Sequence, residues 1–433
     1  MILRFRSPIA LLFGLLVSVP NAFAEEAPPP AEPGTTSPPE VAPVAPVVAP
    51  APAMPEPMPA PEVTAPAAVP PAAKPLRVDG PDGTNIRLGL LLQPQFEAVN
   101  SPTLGGYSQN LYLRRTRILL GGTLLGKVDF FVDTDYPNLF HTTNSGTAAA
   151  PEYQKATPGM NIQDAFVTYK PLAGMKAYAD MFKIDVGYML PAMAHNAVQG
   201  ATTLYSLDYF SYSFQHSGSF SSTSSPVGRD VGVQVRGLVI DGHLEYRLGL
   251  FQGLRDNRTG TDMEARNFFR ATGRLQINLL DPETGFFYQG TYLGTKKILS
   301  IGVSGDLQDK YKYFAADGIV DLPLGPGVVT GQVNFAHWNG GGFLIPNLVK
   351  QSALMGEAGY LIADIRLNPI VRIEHRWGSG AVPDETKLGG GLAFWPNGHN
   401  INLKAFYAHV KDTLNGASTN YNQLNLQMQV YFF

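Results

Sequence analysis

From Thr84 to the last residue, Phe433, apolar and polar residues alternate in segments of roughly ten, each closed by turn-forming residues, which is the period-two signature of β-strands. The last segment is the plainest. In NQLNLQMQVYFF, from Asn422 to Phe433, Leu424, Leu426, Met428, Val430 and Phe432 share one face, and Gln423, Asn425, Gln427 and Gln429 share the other. The polar face carries amides and no charge, while Tyr431, Phe432 and Phe433 gather where an aromatic girdle would sit. This pattern predicts the closing strand of a membrane β-barrel, apolar toward lipid and polar toward a watery lumen. The apolar series runs through Phe432, so Phe433 falls out of phase with it.

Sixteen such segments are predicted: Thr84–Ala98, Gln109–Gly122, Lys127–Tyr136, Asn161–Lys170, Met175–Ile184, Arg229–Val239, His243–Gln252, Arg266–Ile277, Ile298–Gln308, Lys312–Leu322, Val328–Trp338, Gln351–Ile362, Ile365–Trp377, Thr386–Pro396, Asn400–Asp412 and Tyr421–Phe433. The expected fold class is therefore all-β, a transmembrane antiparallel barrel, and an even count returns both chain ends to one side. Short connections (Pro171–Gly174, Asp241–Gly242, Pro323–Gly327, Ala363–Asp364, Asn397–His399) alternate with long ones (Pro137–Met160, Asp185–Gly228, Gly253–Ala265, Asn339–Lys350). Barrels of this kind keep short turns on the periplasmic side and long loops outside. Leu279–Lys297 breaks the rule, being long on the short-turn side, and Asp281–Lys297 has room for another strand.

Two segments precede the barrel. Met1–Ala24 carries Arg4 and Arg6, an apolar stretch and an A-x-A end, as a cleaved secretory signal does. Residues 25–75 are Pro/Ala/Val/Glu-rich and hold 18 of the 36 prolines, so a disordered, extended linker is expected before the barrel domain at 76–433. The chain has no cysteine, which excludes disulfides and thiolate metal sites. Residues 1–75 contain three basic and six acidic side chains, so of the chain's 32 basic and 35 acidic residues, 29 of each sign lie in 76–433. A balanced barrel gives no footing for nucleic acid, and any ion selectivity must come from where the charges sit.

Four stretches resemble the phosphate-selective porin O and P family: Gln109–Asp135 (QNLYLRRTRILLGGTLLGKVDFFVDTD), Gln163–Pro171 (QDAFVTYKP), Tyr288–Asp306 (YQGTYLGTKKILSIGVSGD) and Gly389–Val410 (GGGLAFWPNGHNINLKAFYAHV). The LRR-x-R block and the glycine-rich strand leading into a GH turn are the more specific pieces. The resemblance covers the barrel and not the proline-rich leader. It implies sixteen strands, a homotrimer in the outer membrane of a Gram-negative bacterium, and passive uptake of small anions without a cofactor.

Strand parity nominates the lumen cations: Arg115 and Arg117 with Leu113 and Leu119 on their face, Arg236, Arg247, Arg270, Arg274, Arg372, Arg376 and Lys404. Charge on the lipid face costs ~2–4 kcal/mol at mid-membrane, which favours the pore side for all of them. Asp129, Asp133, Asp135, Asp164, Glu245, Glu357 and Glu374 project the same way, so each arginine has an alternative role as a wall ion pair. Asp185–Gly228, following the fifth segment, is where a constriction loop would fold inward; it offers His195, Tyr205, Tyr209, Tyr212 and His216 and no lysine or arginine. A weakly selective channel for small hydrophilic solutes or anions is expected, with no tight phosphate site. The non-channel alternative is an envelope protein tethering lipid to peptidoglycan through the linker. No nucleophile motif, HExxH spacing or phosphate-binding glycine loop points to an enzyme or a metal.

Overall fold

The computed structural model describes residues 76–100, 105–144, 152–192, 229–253, 255–256, 266–267, 269–340, 350–380 and 383–433. The signal-peptide and linker expectations for residues 1–75 lie outside them, as do His195, Tyr205, Tyr209, Tyr212 and His216.

Sixteen strands form one antiparallel sheet closed on itself. In chain order they are β1 (Asn85–Asn100), β2 (Tyr107–Leu124), β3 (Val128–Asp135), β4 (Asn161–Tyr169), β5 (Lys183–Met189), β6 (Asp230–Val239), β7 (Leu244–Phe251), β8 (Arg270–Asn278), β9 (Ile298–Gln308), β10 (Tyr311–Leu324), β11 (Gly327–Asn339), β12 (Gln351–Ile362), β13 (Leu367–Trp377), β14 (Asp384–Asn397), β15 (Ile401–Leu414) and β16 (Ala417–Phe432). Each pairs with the next, and β16 closes the ring on β1 through Leu90↔Phe432 and Gln95↔Gln427. Closure leaves no strand edge to lipid, the condition for a sheet to cross a membrane. No α-helix occurs among the described residues.

The two faces sort as the alternation requires. Leu426 is 44% exposed on the outer face and its neighbour Gln427 only 3% on the inner. Ile301, Val303, Val333, Val371, Ile373 and Leu388 are likewise exposed outward. At the closing seam the inward amides bond across strands: Gln93 Nε2 donates to Gln429 Oε1 at 2.7 Å, Gln427 Nε2 to Gln95 Oε1 at 2.9 Å, and Gln95 Nε2 to Tyr112 Oη at 2.9 Å. The uncharged polar face of the last strand thus zips the barrel shut.

Three sequence expectations are corrected. The fifth strand is Lys183–Met189 and not Met175–Ile184, because Lys176–Tyr178 winds into a 3₁₀ turn that takes up the start of the predicted segment. The eighth begins at Arg270; Arg266–Asn267 leaves the barrel wall to pair with Arg255–Asp256. In β2 a bulge at Arg114, opposite Gln93 and Pro94, shifts the parity, so Tyr112 faces inward and Leu113 does not share the face of Arg115, while Leu119 does. An additional short strand, Leu76–Asp79, pairs with Asn85–Leu88 and takes up the β1 edge that β16 leaves at Leu90.

The out-of-phase terminal residue has a physical account. Phe433 shares the inward parity of Gln427 and Gln429, so its ring points inward, where Gly89 and Gly121 leave room: a Cβ on Gly121 would lie 2.6 Å from the Phe433 ring. The ring meets Phe131 edge-on at 5.4 Å between centroids and carries the Arg87 guanidinium at 4.9 Å. Phe433 is therefore a bolt across the seam and not part of the outer girdle. Deleting Tyr431–Phe433 is expected to abolish heat-modifiable migration of the folded barrel, whereas Phe433→Ala should fold and lose about 2–3 kcal/mol in urea unfolding, the low end for a large-to-small change because the ring is half-buried. Wild-type stability in the alanine variant would show that the ring does not bolt the seam.

Candidate functional site

The inside of the barrel is a network of ion pairs held within strands and between strands one or two apart. Arg117 reaches Asp135 at 3.1 Å and Asp133 at 3.5 Å, Arg236 reaches Asp185 at 2.8 Å, and Arg247 reaches Glu245 at 2.7 Å. Arg270 grips Asp306 at 2.6 Å and lies 3.6 Å from Asp230, and Arg274 grips Asp317 at 2.6 Å. Arg372 is 3.1 Å from Glu357, and Arg376 is 3.6 Å from Glu385. Arg115 donates to Gln93 at 2.9 Å, and the Lys404 ammonium sits 4.8 Å over the Trp395 ring. All nine sequence-nominated cations are on the inner face, and seven of them meet carboxylates. Both members of Arg270–Asp306 are 0% exposed, so removing one would strand a buried charge at a cost of ~3–5 kcal/mol.

The sequence reading left out further inner cations besides Arg87, which meets Phe433. Arg114 enters through the bulge, Arg229 precedes β6 and takes Asp164 in a two-pronged grip at 3.0 Å, and Lys387 pairs with Glu385 at 2.9 Å. Lys387 was legible from the parity of Glu385, Lys387 and Gly389. Arg114 was not, because a bulge has no period-two signal.

The long Leu279–Lys297 connection forms no strand; it folds into the lumen and crosses it. On one side Phe286 stacks on Phe166 of β4 at 4.5 Å, and Phe287 meets Phe131 of β3 at 5.9 Å. Arg247 donates to the carbonyls of Phe286 and Gly285 at 2.7 and 3.1 Å. Tyr288 is clasped between Arg247, 4.4 Å away, and Arg274, whose Nε donates to its hydroxyl at 3.0 Å. Farther along, Tyr292 Oη donates to Glu283 at 2.7 Å, and the Tyr292 N–H donates to Asp321 of β10 at 2.9 Å. Leu293 then packs into an apolar patch of Val328, Leu361, Ile370 and Trp395 on β11 to β14. Gly294, at φ +84°, turns the chain back toward β9. From Gly285 to Tyr292 the segment has no charge of its own; the fixed charges around it are Arg247 and Arg274 on one side and Glu283 and Asp321 on the other.

These contacts are met by no other short-side turn among the described residues, and they explain why this one is long. A segment that must reach from β3 to β14 and return needs the extra residues. The sequence flagged the length and not the destination.

An anion-selective porin from Comamonas acidovorans superposes on this chain with a TM-score of 0.52 at 12% identity, over 81% of this chain and 100% of that one. The outer membrane channel DcaP of Acinetobacter baumannii gives 0.51 at 11% identity, over 82% and 99%. The fold is that of the outer-membrane porins. No family model and no curated protein matches the sequence. At these identities the likeness concerns architecture. The fold here differs from the simple rule of short turns on the terminal side in carrying a lumen-crossing segment, Leu279–Lys297, from that side.

His399, in the turn between β14 and β15, latches this segment. Its Nε2 donates to the Thr291 carbonyl at 2.9 Å, its ring lies edge-on to Trp395 at 5.4 Å, and its Nδ1 is buried with no partner. Burial pulls the imidazole down to about 4, against the opposing hydrogen bond to Thr291. A histidine whose folded value lies below its unfolded value of about 6.5 gains its proton more readily when unfolded, so the latch is intact above about pH 6.5 and weakens as pH falls toward 4. In protein with Trp338 and Trp377 changed to Phe, Trp395 emission is expected to hold steady above about pH 6.5 and to shift on acidification toward 4. The same titration in His399→Gln should be flat; an identical shift there would assign it to another group.

Proposed function

We propose that this protein is an outer-membrane porin, a passive route for small hydrophilic solutes with a weak preference for anions. The observation that carries the reading is a closed barrel whose outer face is apolar and whose inner face is charged, with each lumen cation cluster accompanied by carboxylates. A permeating anion is attracted by fixed positive groups and donors along the path, and low-dielectric walls strengthen each of them. Arg114, Arg115 and Arg117, on one short stretch of β2, are the strongest local excess, and they belong to the block that resembles the phosphate-selective family. Their neighbours Asp133 and Asp135 keep that excess modest. The anion-selective porin with the same fold supports the sign of the preference. Homotrimeric assembly, export through the N-terminal signal, an extended leader and a periplasmic location for the end bearing residues 76 and 433 are parts of the same proposal.

Reversal potentials of the purified protein in planar bilayers under a salt gradient test the proposal. Weak anion preference is expected, and replacing Arg115 and Arg117 together by glutamine should move the potential toward cations. An unchanged permeability ratio would make both arginines neutralised wall residues, and saturation of the wild type by low phosphate would mean a tight binding site instead.

The same bilayers report on the crossing segment. With residues 284–295 replaced by a short glycine-serine link, single-channel conductance is expected to rise at least twofold. Equal conductance would show that the narrowest passage lies elsewhere.

A further inference from the structure

The outer surface carries basic residues that the channel does not use. His337 on β11, His375 on β13 and His409 on β15 all face outward, each fixed by a bond from Nδ1 to the next strand: Ser352 Oγ at 2.7 Å, Thr386 Oγ1 at 2.8 Å and Asn422 Oδ1 at 2.9 Å. No partner engages the Nε2 atoms among the described residues, so each ring presents that nitrogen to the surroundings. Lys312, Lys350 and Lys411 are exposed and form no ion pair among the described residues.

Register places the histidines at one level. The row through His337 runs to Ser352 and Trp377, two residues beyond His375; the row through His375 runs to Thr386 and Lys411, two residues beyond His409. Strands tilted by about 40° and about 4.8 Å apart keep level ground by stepping back about 1.2 residues per strand, or roughly two per hairpin. The observed step of two residues per hairpin is the one that holds height constant. His337, His375 and His409 stand ten, eight and eight residues from the strand ends at their short turns, Gly327, Leu367 and Ile401. At ~3.3 Å per residue and that tilt they lie roughly 20–25 Å from the turn level, which is the upper border of an apolar band ~25 Å tall.

The layers below and above agree. Beneath the histidines the outer face is Val333 on β11, Val371 and Ile373 on β13, and Leu403 and Tyr407 on β15. At their level Phe314 lies 5.1 Å from His337 and Trp377 4.4 Å from His375, the aromatic ring of a membrane border. Two residues or more farther out stand the three lysines. The acids near this face are Asp309 in the β9–β10 turn and Asp384, which accepts from the Gly378 N–H at 2.7 Å. At the corresponding rim of β2, β7 and β9 the outward residues are Leu111, Leu250 and Leu307.

From this layering we infer that the outer face of β10–β16 binds phosphate-bearing lipid headgroups of the outer leaflet, the lysines contacting phosphate above a border of imidazole and aromatic rings. The inference rests on the outer-membrane placement proposed above. Hydrocarbon, then imidazole and aromatic rings, then ammonium is the order in which acyl chains, linkage oxygens and phosphates follow one another across a leaflet, and basic residues at the headgroup level attract anionic lipid. Its place on seven adjacent strands, with leucines at the corresponding rim of β2, β7 and β9, makes it a patch and not a uniform girdle.

Native mass spectrometry of the detergent-extracted protein, titrated with diphosphoryl lipid A and with the same lipid stripped of phosphate, tests it. Binding of the phosphorylated form at least tenfold tighter is expected. Lys312→Gln, Lys350→Gln and Lys411→Gln together should remove most of that ratio while leaving the cross-strand histidine bonds, heat-modifiable migration and bilayer conductance as they are. Equal affinity for the two lipids, an unchanged ratio in the triple variant, or a triple variant whose only change is its oligomeric mass would each overturn the headgroup site. A protein that conducts in bilayers yet shows no phosphate dependence loses only this inference, whereas one that fails to insert loses the porin reading first.

Discussion

A backbone immersed in hydrocarbon has no water to turn to, so every N–H and C=O along the spanning strands must be paired within the sheet. That single demand makes the sheet close, and closure makes the β1–β16 seam the most consequential joint in the molecule. The chain meets it twice over. Inside, Gln93, Gln95, Gln427 and Gln429 bond amide to amide across the seam. At its end, Phe433 keeps the inward phase of Gln427 and Gln429 and seats its ring in the notch of Gly89 and Gly121. A charged residue in place of the glutamines would need a partner of opposite sign on the other strand; amides supply donor and acceptor at once and tolerate either neighbour.

Closure also dictates the chemistry of the lumen. With one face of every strand given to lipid, charge within the hydrocarbon band must go inward, and charges brought together inside a low-dielectric wall are costly unless paired. The arginines accordingly find Asp, Glu or backbone carbonyls, as Arg247 does with Glu245 and the carbonyl of Phe286. The pairs that hold the wall are thus the same groups that set the lumen potential, which argues for weak selectivity: a strongly anion-selective wall would need cations without carboxylates beside them. The crossing segment contributes aromatic and hydroxyl groups and lies between the cations Arg247 and Arg274 and the carboxylates Glu283 and Asp321.

What was legible in the sequence follows from which features have a period. The strand count, the inward face of Arg236, Arg270, Arg274, Arg372 and Lys404, and the anomalous length of Leu279–Lys297 are all statements about alternation or spacing, and the structure carries each of them. Features made by breaking the period were not legible. The bulge at Arg114 reverses the parity of β2 and moves Leu113 off the face of Arg115. Met175–Ile184 alternates like a strand, yet its start winds into a turn, because the chain has to come round from β4 before β5 can pair with β6. The inward fold of Gly285–Leu293 depends on Leu293 finding the patch of Val328, Leu361, Ile370 and Trp395, four residues from strands distant in sequence.

The turn that carries His399 shows how these constraints combine. The Gly398 turn, with φ +52°, closes β14 onto β15 and places an imidazole beneath Trp395. The ring reaches Thr291, whose hydroxyl is in turn 3.2 Å from that of Thr330 on β11. A local turn required by strand pairing therefore becomes one wall of the lumen-crossing segment's seat. Because Trp395 also receives the Lys404 ammonium on its face, the seat and the charged wall share a side chain. Loosening the segment would consequently alter the surroundings of a lumen cation as well as the width of the passage, so in the proposed channel Trp395 would tie conductance to selectivity.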